Sequence, residues 1–187
     1  GVRCCGSGSN RVGPAHRYGS GASERRIGEL LHTQTAQTRA ELRISTQVGN
    51  VVTDSGVSVD LSPRNIVAQL SASLARLRVS RVDFCLSHAP DPATPIESTL
   101  EGFAEAIERG FVSHIGACNV DAEYLAAAIG ASARLVLSRY EWVQHVFYLL
   151  TRHVVQDLFR LCKAYCLGHT PFPPFAAPPP SSKVALR

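Results

Sequence analysis

Cysteine, histidine and glutamate are the residues of this chain whose spacing could create a metal or acid–base site. Cys162 and Cys166 lie four positions apart in a segment with helical periodicity, and we interpret them as packing residues rather than metal ligands. His114 and Cys118 share one face of a predicted strand, but no second matched pair of ligands accompanies them, so no zinc site is expected. A set of glutamates at helical spacing is typical of a solvated surface rather than a carboxylate site: Glu97, Glu101, Glu105 and Glu108.

Short apolar segments with strand character alternate with longer segments that have helical periodicity. Two helix starts are strongly marked, because Ser62-Pro63 pairs a capping side chain with proline and Thr94-Pro95-Ile96-Glu97 has the pattern of a capping box. Predicted strands cover residues 42–48, 81–87, 112–117, 135–140 and 169–175. Predicted helices begin at Ser23, Ser62, Thr94, Asp121 and Thr151, and Gly130 is expected to end the fourth of them.

Strands that alternate with helices indicate parallel β/α units, so we expect an α/β fold with a parallel sheet. Right-handed crossovers place the carboxyl end of every strand on the same rim, where parallel β/α folds bind their ligands. The residues expected on this rim are Gln47, His88, Cys118, Asn119, Tyr140 and Phe172.

The length of the chain limits how many β/α units it can contain, and its composition shows where lysine is absent. The chain has 187 residues, whereas a complete eightfold β/α barrel needs roughly 250, so only part of such a barrel is expected. The sequence contains no methionine, which we interpret as a fragment, a processed chain or a disrupted reading frame. Its two lysines are Lys163 and Lys183, and no lysine precedes them.

Charge and hydropathy exclude several classes of protein. The net charge is +4, but positive charge is concentrated at the two ends and no contiguous basic face with interleaved aromatic residues is present, so no nucleic-acid partner is expected. The longest apolar runs are far shorter than the roughly 20 residues of a membrane span, so no membrane insertion is expected. The six cysteines give no disulfide framework, which indicates a reducing, cytoplasmic compartment.

Four stretches, in this order and spacing, resemble the aldo-keto reductase family. They are RYGSGASERRIGELL at 17–31, ISTQVG at 44–49, the long segment from DLSPRNIV to EAIERG at 60–110, and VSHIGACNVDAEYL at 112–125. The resemblance implies a (β/α)8 TIM barrel that binds NADPH without a glycine-rich dinucleotide motif and reduces aldehydes and ketones. No GxGxxG is present in this sequence. For this chain it implies a partial barrel of about five β/α units within residues 15–175, between an irregular segment at 1–14 and a proline-rich tail at 176–187.

The resemblance also assigns catalytic residues. The family uses an Asp, a Tyr, a Lys and a His, and two of these match as Tyr18 and His88. The aspartate position holds Gly13 and the lysine position holds Gln47. A neutral glutamine stabilises a phenolate less than a cation does, so the pKa of the tyrosine should stay nearer its ordinary value of about 10. We therefore expect a reductase that is slowed by about 10²–10⁴-fold.

Cofactor residues follow from the same resemblance. Cys118 and Asn119 match the family's Ser-Asn pair, and Asn119 can hydrogen-bond the carboxamide of NADPH. Phe172 matches an aromatic that stacks on the nicotinamide, while the glutamine expected on the next strand falls at Leu137. Each of these residues also has an ordinary structural interpretation when its sequence context is left aside. Tyr18 would then be a loop tyrosine, His88 a core histidine and Asn119 a turn residue. Phe172 would pack against the proline-rich tail.

Three functions remain open from the sequence. The first is NADPH-dependent reduction of a small carbonyl compound, here impaired. The second is a non-catalytic remnant or scaffold that binds a partner, or a second copy of itself, through the open edges of its partial barrel. The third is a frame-disrupted or incomplete gene product without a function of its own.

Overall fold

A computed structural model describes residues 11–13, 21–53, 56–146 and 156–172. The strands in these ranges are β1 Arg11–Val12, β2 Arg43–Val48, β3 Asn50–Thr53, β4 Gly56–Val59, β5 Val82–Ser87, β6 Val112–Cys118, β7 Trp142–Val146 and β8 Gly168–Phe172. The helices are α1 Ala22–Thr33, α2 Ala36–Glu41, α3 Pro63–Leu77, α4 Ile96–Glu108, α5 Ala122–Leu135 and α6 Gln156–Ala164.

The main sheet is entirely parallel and has the strand order β1-β2-β5-β6-β7-β8. Five full strands and the two-residue β1 curl into a half-barrel, which confirms the predicted α/β architecture and the partial (β/α)8 barrel. A separate antiparallel hairpin, β3-β4, follows the carboxyl end of β2. The carboxyl ends of the parallel strands therefore share one rim, as the alternating pattern predicts.

Local sequence signals explain where two of the long helices begin. Ser62 accepts a hydrogen bond from the backbone N–H of Asn65 and Pro63 opens α3, as predicted. Asp121 caps α5 in the same way, through the backbone N–H of Tyr124 at 2.7 Å. The apolar face of α3 is fully or almost fully buried, and it consists of Ile66, Leu70, Leu74 and Leu77.

Between the sheet and the helices lies the apolar core. Cys85 on β5, Ile115 on β6 and Val143 on β7 are completely buried there, together with Leu100 and Phe103 of α4. Each fully buried side chain of the size of leucine or phenylalanine contributes roughly 1.5–3 kcal/mol by leaving water. This core holds the strands in position from the helix side and leaves their other faces to the barrel interior.

Two predicted helix starts are wrong. Helix α1 begins after Gly21, which has φ 83°, and no side chain caps it, so Ser23 lies inside the helix instead of before it. Helix α4 begins after Pro95 without a side-chain cap. The predicted cap, Thr94, donates its hydroxyl to Asp91 Oδ2 at 2.6 Å instead.

The predicted strand at 135–140 is also wrong. Helix α5 continues through Gly130, where a side chain would meet open space, and ends only at Val136, which has φ 55°. Val136 is 90% exposed, so the apolar run there is not a buried strand. The fourth long strand is β7, which begins later at Trp142. The next predicted strand is confirmed as β8 over Gly168–Phe172, and its last three positions lie outside the described residues.

The proposed domain boundaries fall largely on residues that the structure does not describe. Residues 1–10 and 176–187 are outside it, and so is the first part of the helix predicted at 151–165. Within the segment expected to be irregular, Arg11–Val12 pair in parallel with Arg43 and Ile44 of β2. The barrel sheet therefore extends by a short strand in front of β2.

Two half-buried histidines, His145 on β7 and His169 on β8, connect the stability of this part of the sheet to pH. Burial lowers the pKa of His145 from its ordinary value near 6.5, although Asp121 opposes the effect. Burial also lowers the pKa of His169, and the neighbouring His145 lowers it further. Because the unfolded chain accepts protons that the folded chain resists, their stabilising contribution is complete above about pH 6.5 and is lost as the pH falls below it.

We therefore expect the free energy of unfolding in urea to decrease as the pH is lowered from about 7.5 to about 5. The variant with His145→Gln and His169→Gln should show a flatter profile, because it lacks the two groups that charge on unfolding. His32→Gln, at an exposed position on α1, is the matched control and should leave the profile unchanged. A double variant with the wild-type profile would contradict the assignment.

Candidate functional site

A cavity of about 300 Å³ opens at the carboxyl ends of the parallel strands. Its walls bring together four of the five site residues expected from the sequence, namely His88, Cys118, Asn119 and Phe172. The fifth, Tyr18, lies outside the described residues. The complete lining consists of Gln47, His88, Cys118, Asn119, Gln144, His145, Val146 and Phe172.

Gln47, the last inward-facing residue of β2, occupies the position where the family resemblance expects lysine. Its side chain is 7% exposed. Its amide Nε2 donates to Cys118 Sγ and to Gln144 Oε1, both at 3.4 Å. The amide oxygen Oε1 is buried and accepts no hydrogen bond from the residues that the structure describes. The lysine position is therefore filled by a neutral amide that connects β2 with β6 and β7.

Asn119 fixes the shape of the rim after β6. It has φ 56°, a left-handed conformation that asparagine tolerates better than most residues. Its Nδ2 donates to the carbonyl oxygen of His88 at 2.9 Å, and its backbone N–H donates to the carbonyl of Gln144 at 2.9 Å. The end of β5 is held in turn by the N–H of His88, which donates to the carbonyl of Val48 at 2.8 Å. Hydrogen bonds of the backbone and of the Asn119 side chain thus connect the ends of four strands around the cavity.

Gln144 is the cavity residue that sequence reasoning missed. We expected the glutamine of this strand at Leu137, but that prediction is wrong, because Leu137 follows α5 and packs against the core. Gln144 lies opposite Cys118 in the register of β6 and β7 and lines the cavity. The alternation of Trp142, Gln144 and Val146 in WVQHV was the available signal, since it places all three on one face of a strand.

Tyr140 does not lie on the rim, contrary to expectation. It precedes β7, is 1% exposed, and contacts Phe103 edge-to-face with ring centroids 6.0 Å apart. Burial raises the pKa of its phenol well above the ordinary value, with a further contribution from the nearby Tyr124. Tyr140 is thus a core residue and takes no part in the cavity.

Trp142 closes the barrel interior below the cavity. Its indole Nε1 donates to Thr170 Oγ1 on β8 at 2.7 Å, and its ring contacts Phe84 of β5 with centroids 5.3 Å apart. A Cβ on Gly168 would lie 2.0 Å from the indole ring, and one on Gly116 would lie 2.3 Å from the carbonyl oxygen of Trp142. Gly168 therefore makes the space that the indole fills, and Gly116 lets β6 approach the backbone of Trp142 closely.

The sequence predicts neither a metal site nor a membrane span, and the structure can be compared with both predictions over the described residues. Among these residues, no group of three or more potential ligands could hold a metal ion. His114 bonds Glu141 Oε1 at 3.0 Å, Cys162 is buried and Cys166 is exposed. No helix within the described part of the chain is long and apolar enough to cross a membrane.

Comparisons with known proteins match this architecture. The model of the aldo/keto reductase family matches residues 6–180. A probable voltage-gated potassium channel subunit beta from Arabidopsis thaliana is 30% identical over 181 residues, which cover 94% of this chain and 54% of that protein. The L-glyceraldehyde 3-phosphate reductase of Escherichia coli is 34% identical over 104 residues, which cover 54% of this chain and 30% of the reductase.

A solved structure of a glycerol dehydrogenase from Gluconobacter oxydans superimposes with a TM-score of 0.76 at 22% identity, over 87% of this chain and 48% of that one. The chain thus spans about half the length of the first relatives that it matches. Its half-barrel corresponds to part of their fold. On the match of the family model over residues 6–180, this chain belongs to the aldo/keto reductase family.

Proposed function

We propose that this chain is an oxidoreductase that binds NADPH at the rim cavity and reduces a small aldehyde or ketone at a low rate. The observation that carries the proposal is the convergence of Gln47, His88, Asn119 and Gln144 on one cavity at the carboxyl ends of parallel strands. Membership of a family with reductases among its relatives supports the reaction class. We assign the chain to the cytoplasm, where thiols such as that of Cys118 stay reduced.

The residues present fit a nicotinamide. A carboxamide both donates and accepts hydrogen bonds, and the side chains of Asn119 and Gln144 offer the complementary groups. The Nδ2 of Asn119 is engaged with the His88 carbonyl, so its Oδ1 is the atom that could accept from the carboxamide. Phe172 is 45% exposed beside the cavity and offers a ring for stacking. When bound, NADPH would supply the hydride.

The chain's own residues would then position the carbonyl and deliver the proton. By family resemblance, His88 would orient the substrate carbonyl and Tyr18 would protonate its oxygen. Gln47 can donate a hydrogen bond but carries no charge, so it cannot lower the pKa of a tyrosine as strongly as a lysine would. The lack of a cation at position 47 accounts for the low rate of carbonyl reduction that we propose.

The first experiment measures NADPH binding to the whole chain by isothermal titration calorimetry. Gln144→Leu should weaken binding by roughly 5- to 150-fold, the equivalent of about 1–3 kcal/mol for a polar group of the ligand left without its partner. Gln37→Leu is the same substitution at an exposed position of α2 and should leave binding unchanged. Absence of binding at millimolar NADPH would overturn the proposed function.

A second candidate is a non-catalytic scaffold. The replacement of the family lysine by Gln47 favours it, and so does the similarity to proteins named as potassium channel beta subunits. In this case the chain would act through a partner bound at the edges of its sheet, β1 and β8, with a second copy of the chain as one possible partner. NADPH-dependent turnover by a chain that sediments as a monomer would contradict it.

A further inference from the structure

The cavity wall contains a thiol at a position where its chemistry can matter. Cys118 is the last residue of β6, it lines the cavity, and its sulfur belongs to no disulfide. It is 2% exposed, so bulk reagents have little access to it except through the cavity. Its Sγ accepts the hydrogen bond from Gln47 Nε2, which holds the sulfur beside the polar end of the cavity.

A second observation indicates that this end of the cavity is suited to a polar ligand. Gln47 is more than nine-tenths buried, lines the same cavity, and has an amide oxygen that accepts no hydrogen bond from any residue in the described ranges. Burying such a group without a partner is unfavourable, and a donor group of a ligand would remove that cost. The amide N–H groups of Gln144 can donate to a carbonyl oxygen, whereas both N–H groups of Gln47 are already engaged with Cys118 and Gln144. The cavity therefore combines a nucleophilic sulfur with a site for a polar, uncharged compound.

We propose that Cys118 is a site of covalent modification by small α,β-unsaturated aldehydes and ketones that enter the cavity. The inference rests on the proposed function, because that function brings carbonyl compounds to this site. The sulfur forms a bond to the β-carbon of the alkene, the π electrons move toward the carbonyl, and the α-carbon takes up a proton. The thiol loses its own proton, so the net reaction is addition of S–H across the C=C bond, without any oxidant or reductant.

Proximity explains why this thiol reacts and its neighbour does not. A compound held in the cavity has its reacting carbon beside Sγ, and such orientation can replace a large part of the barrier to a bimolecular reaction. Cys85, on the adjacent strand β5, is completely buried in the core outside the cavity, and burial raises the pKa of its thiol strongly. Since the thiolate is the nucleophile, Cys85 serves as an internal control that should stay unmodified.

The test treats the folded chain of 187 residues with acrolein, stops the reaction, and locates adducts by tryptic peptide mapping with fragment ions. Cleavage at arginine separates Cys85, in peptide 82–109, from Cys118, in peptide 110–134. We expect addition of one acrolein to Cys118, slowed at least about tenfold by saturating NADPH, and no adduct on Cys85. A polyethylene-glycol maleimide, too large for the cavity, should label the exposed Cys166 but leave Cys118 unmodified.

The outcomes separate this inference from the proposed function. NADPH binding without any acrolein adduct on Cys118, under conditions that modify Cys166, overturns the inference and leaves the function standing. Labelling of Cys118 no faster than that of Cys85 overturns it as well. An adduct on Cys118 in a chain that binds no NADPH upholds the thiol site and overturns the proposed function. Cys118→Ser, a nearly isosteric change, should abolish the adduct at position 118, which fragment ions distinguish from one on His114 in the same peptide.

Discussion

The combined variant Gly13→Asp and Gln47→Lys should reduce aldehydes about 10²–10⁴-fold faster than the wild-type chain. A lysine at position 47 would place a cation where the family resemblance expects one, and an aspartate at 13 would pair with it. The cation would stabilise the phenolate of Tyr18 and so lower its pKa toward working pH. The measurement is the steady-state rate of NADPH oxidation with a small aldehyde.

Both changes are needed because position 47 is buried. A lysine there would be 93% shielded from water on the present geometry, and a buried cation without a partner is strongly destabilising. Gly13 follows β1, which pairs with β2, and a Cβ at 13 would lie 2.8 Å from Ser45 Oγ. Among the described residues, the Ser45 hydroxyl is the group that must shift to admit the new Cβ. Gln47→Lys alone is therefore expected to lose stability without gaining the full rate.

Two controls make this result decisive. Gln47→Met with Gly13→Asp has a side chain of similar length at position 47 but no cation, so it should show no increase. Tyr18→Phe in the activated background should remove the gain. If the combined variant folds and binds NADPH but stays as slow as the wild type, the scaffold function is favoured over the reductase.

Arg76→Met should lower the free energy of unfolding by about 3–5 kcal/mol. Glu24, in the first turn of α1, is completely buried and accepts hydrogen bonds from Arg76 Nε at 2.5 Å and from Thr46 Oγ1 at 2.7 Å. The contact joins α1, β2 and α3. Removing the arginine would leave a carboxylate inside the protein without its counter-ion, and desolvation of that charge is the main cost.

The close approach of the two helices strengthens this expectation. A Cβ on Gly28 of α1 would lie 2.6 Å from the carbonyl oxygen of Arg76, so the backbones of α1 and α3 are in close contact beside the ion pair and leave little room for water. Equilibrium urea unfolding followed by circular dichroism measures the change. Arg160→Met is the matched control, because Arg160 pairs with Asp157 on the surface and both side chains are more than three-quarters exposed. A surface pair of this kind contributes about 0–1 kcal/mol.

A second variant separates the charge effect from packing. Glu24→Leu combined with Arg76→Met removes both charges, and replacing a buried ion pair by apolar side chains is often nearly neutral. Most of the stability lost in Arg76→Met should therefore return. An equal loss in the single and double variants would show that the arginine acts through packing and not through Glu24.

The parts of the fold that the sequence predicts correctly are those set by local signals. Ser62 and Pro63 start α3 with groups that belong to the same turn, and Asp121 does the same for α5. The helix start at Thr94 fails because its hydroxyl bonds Asp91, a buried carboxylate that also accepts from the backbone N–H of Leu61. The position of Asp91 depends on its bond to Leu61, which lies 30 positions earlier in the chain. No local sequence pattern contains that contact.

The residues of the candidate site also differ in whether local sequence signals predict them. His88, Cys118 and Asn119 lie at or directly after the ends of strands with clear boundaries, so their meeting at one cavity was predictable from the parallel topology. Gln144 was missed because the apolar residues after α5 resemble a strand, while the true strand starts only after Tyr140 is buried against Phe103. The bond of Gln47 to Cys118 spans 71 positions and appears only when β2, β5 and β6 are placed side by side.

The position of Trp142 has a practical consequence for all of these experiments. It is the only tryptophan of the sequence, and it lies directly below the cavity with its indole bonded across to β8. The fluorescence intensity and the emission maximum of the indole should therefore depend on whether β7 and β8 stay paired. They should also depend on what occupies the cavity above the ring. The chain carries its own optical reporter, so ligand entry and loss of strand contact can be followed in real time without an attached dye.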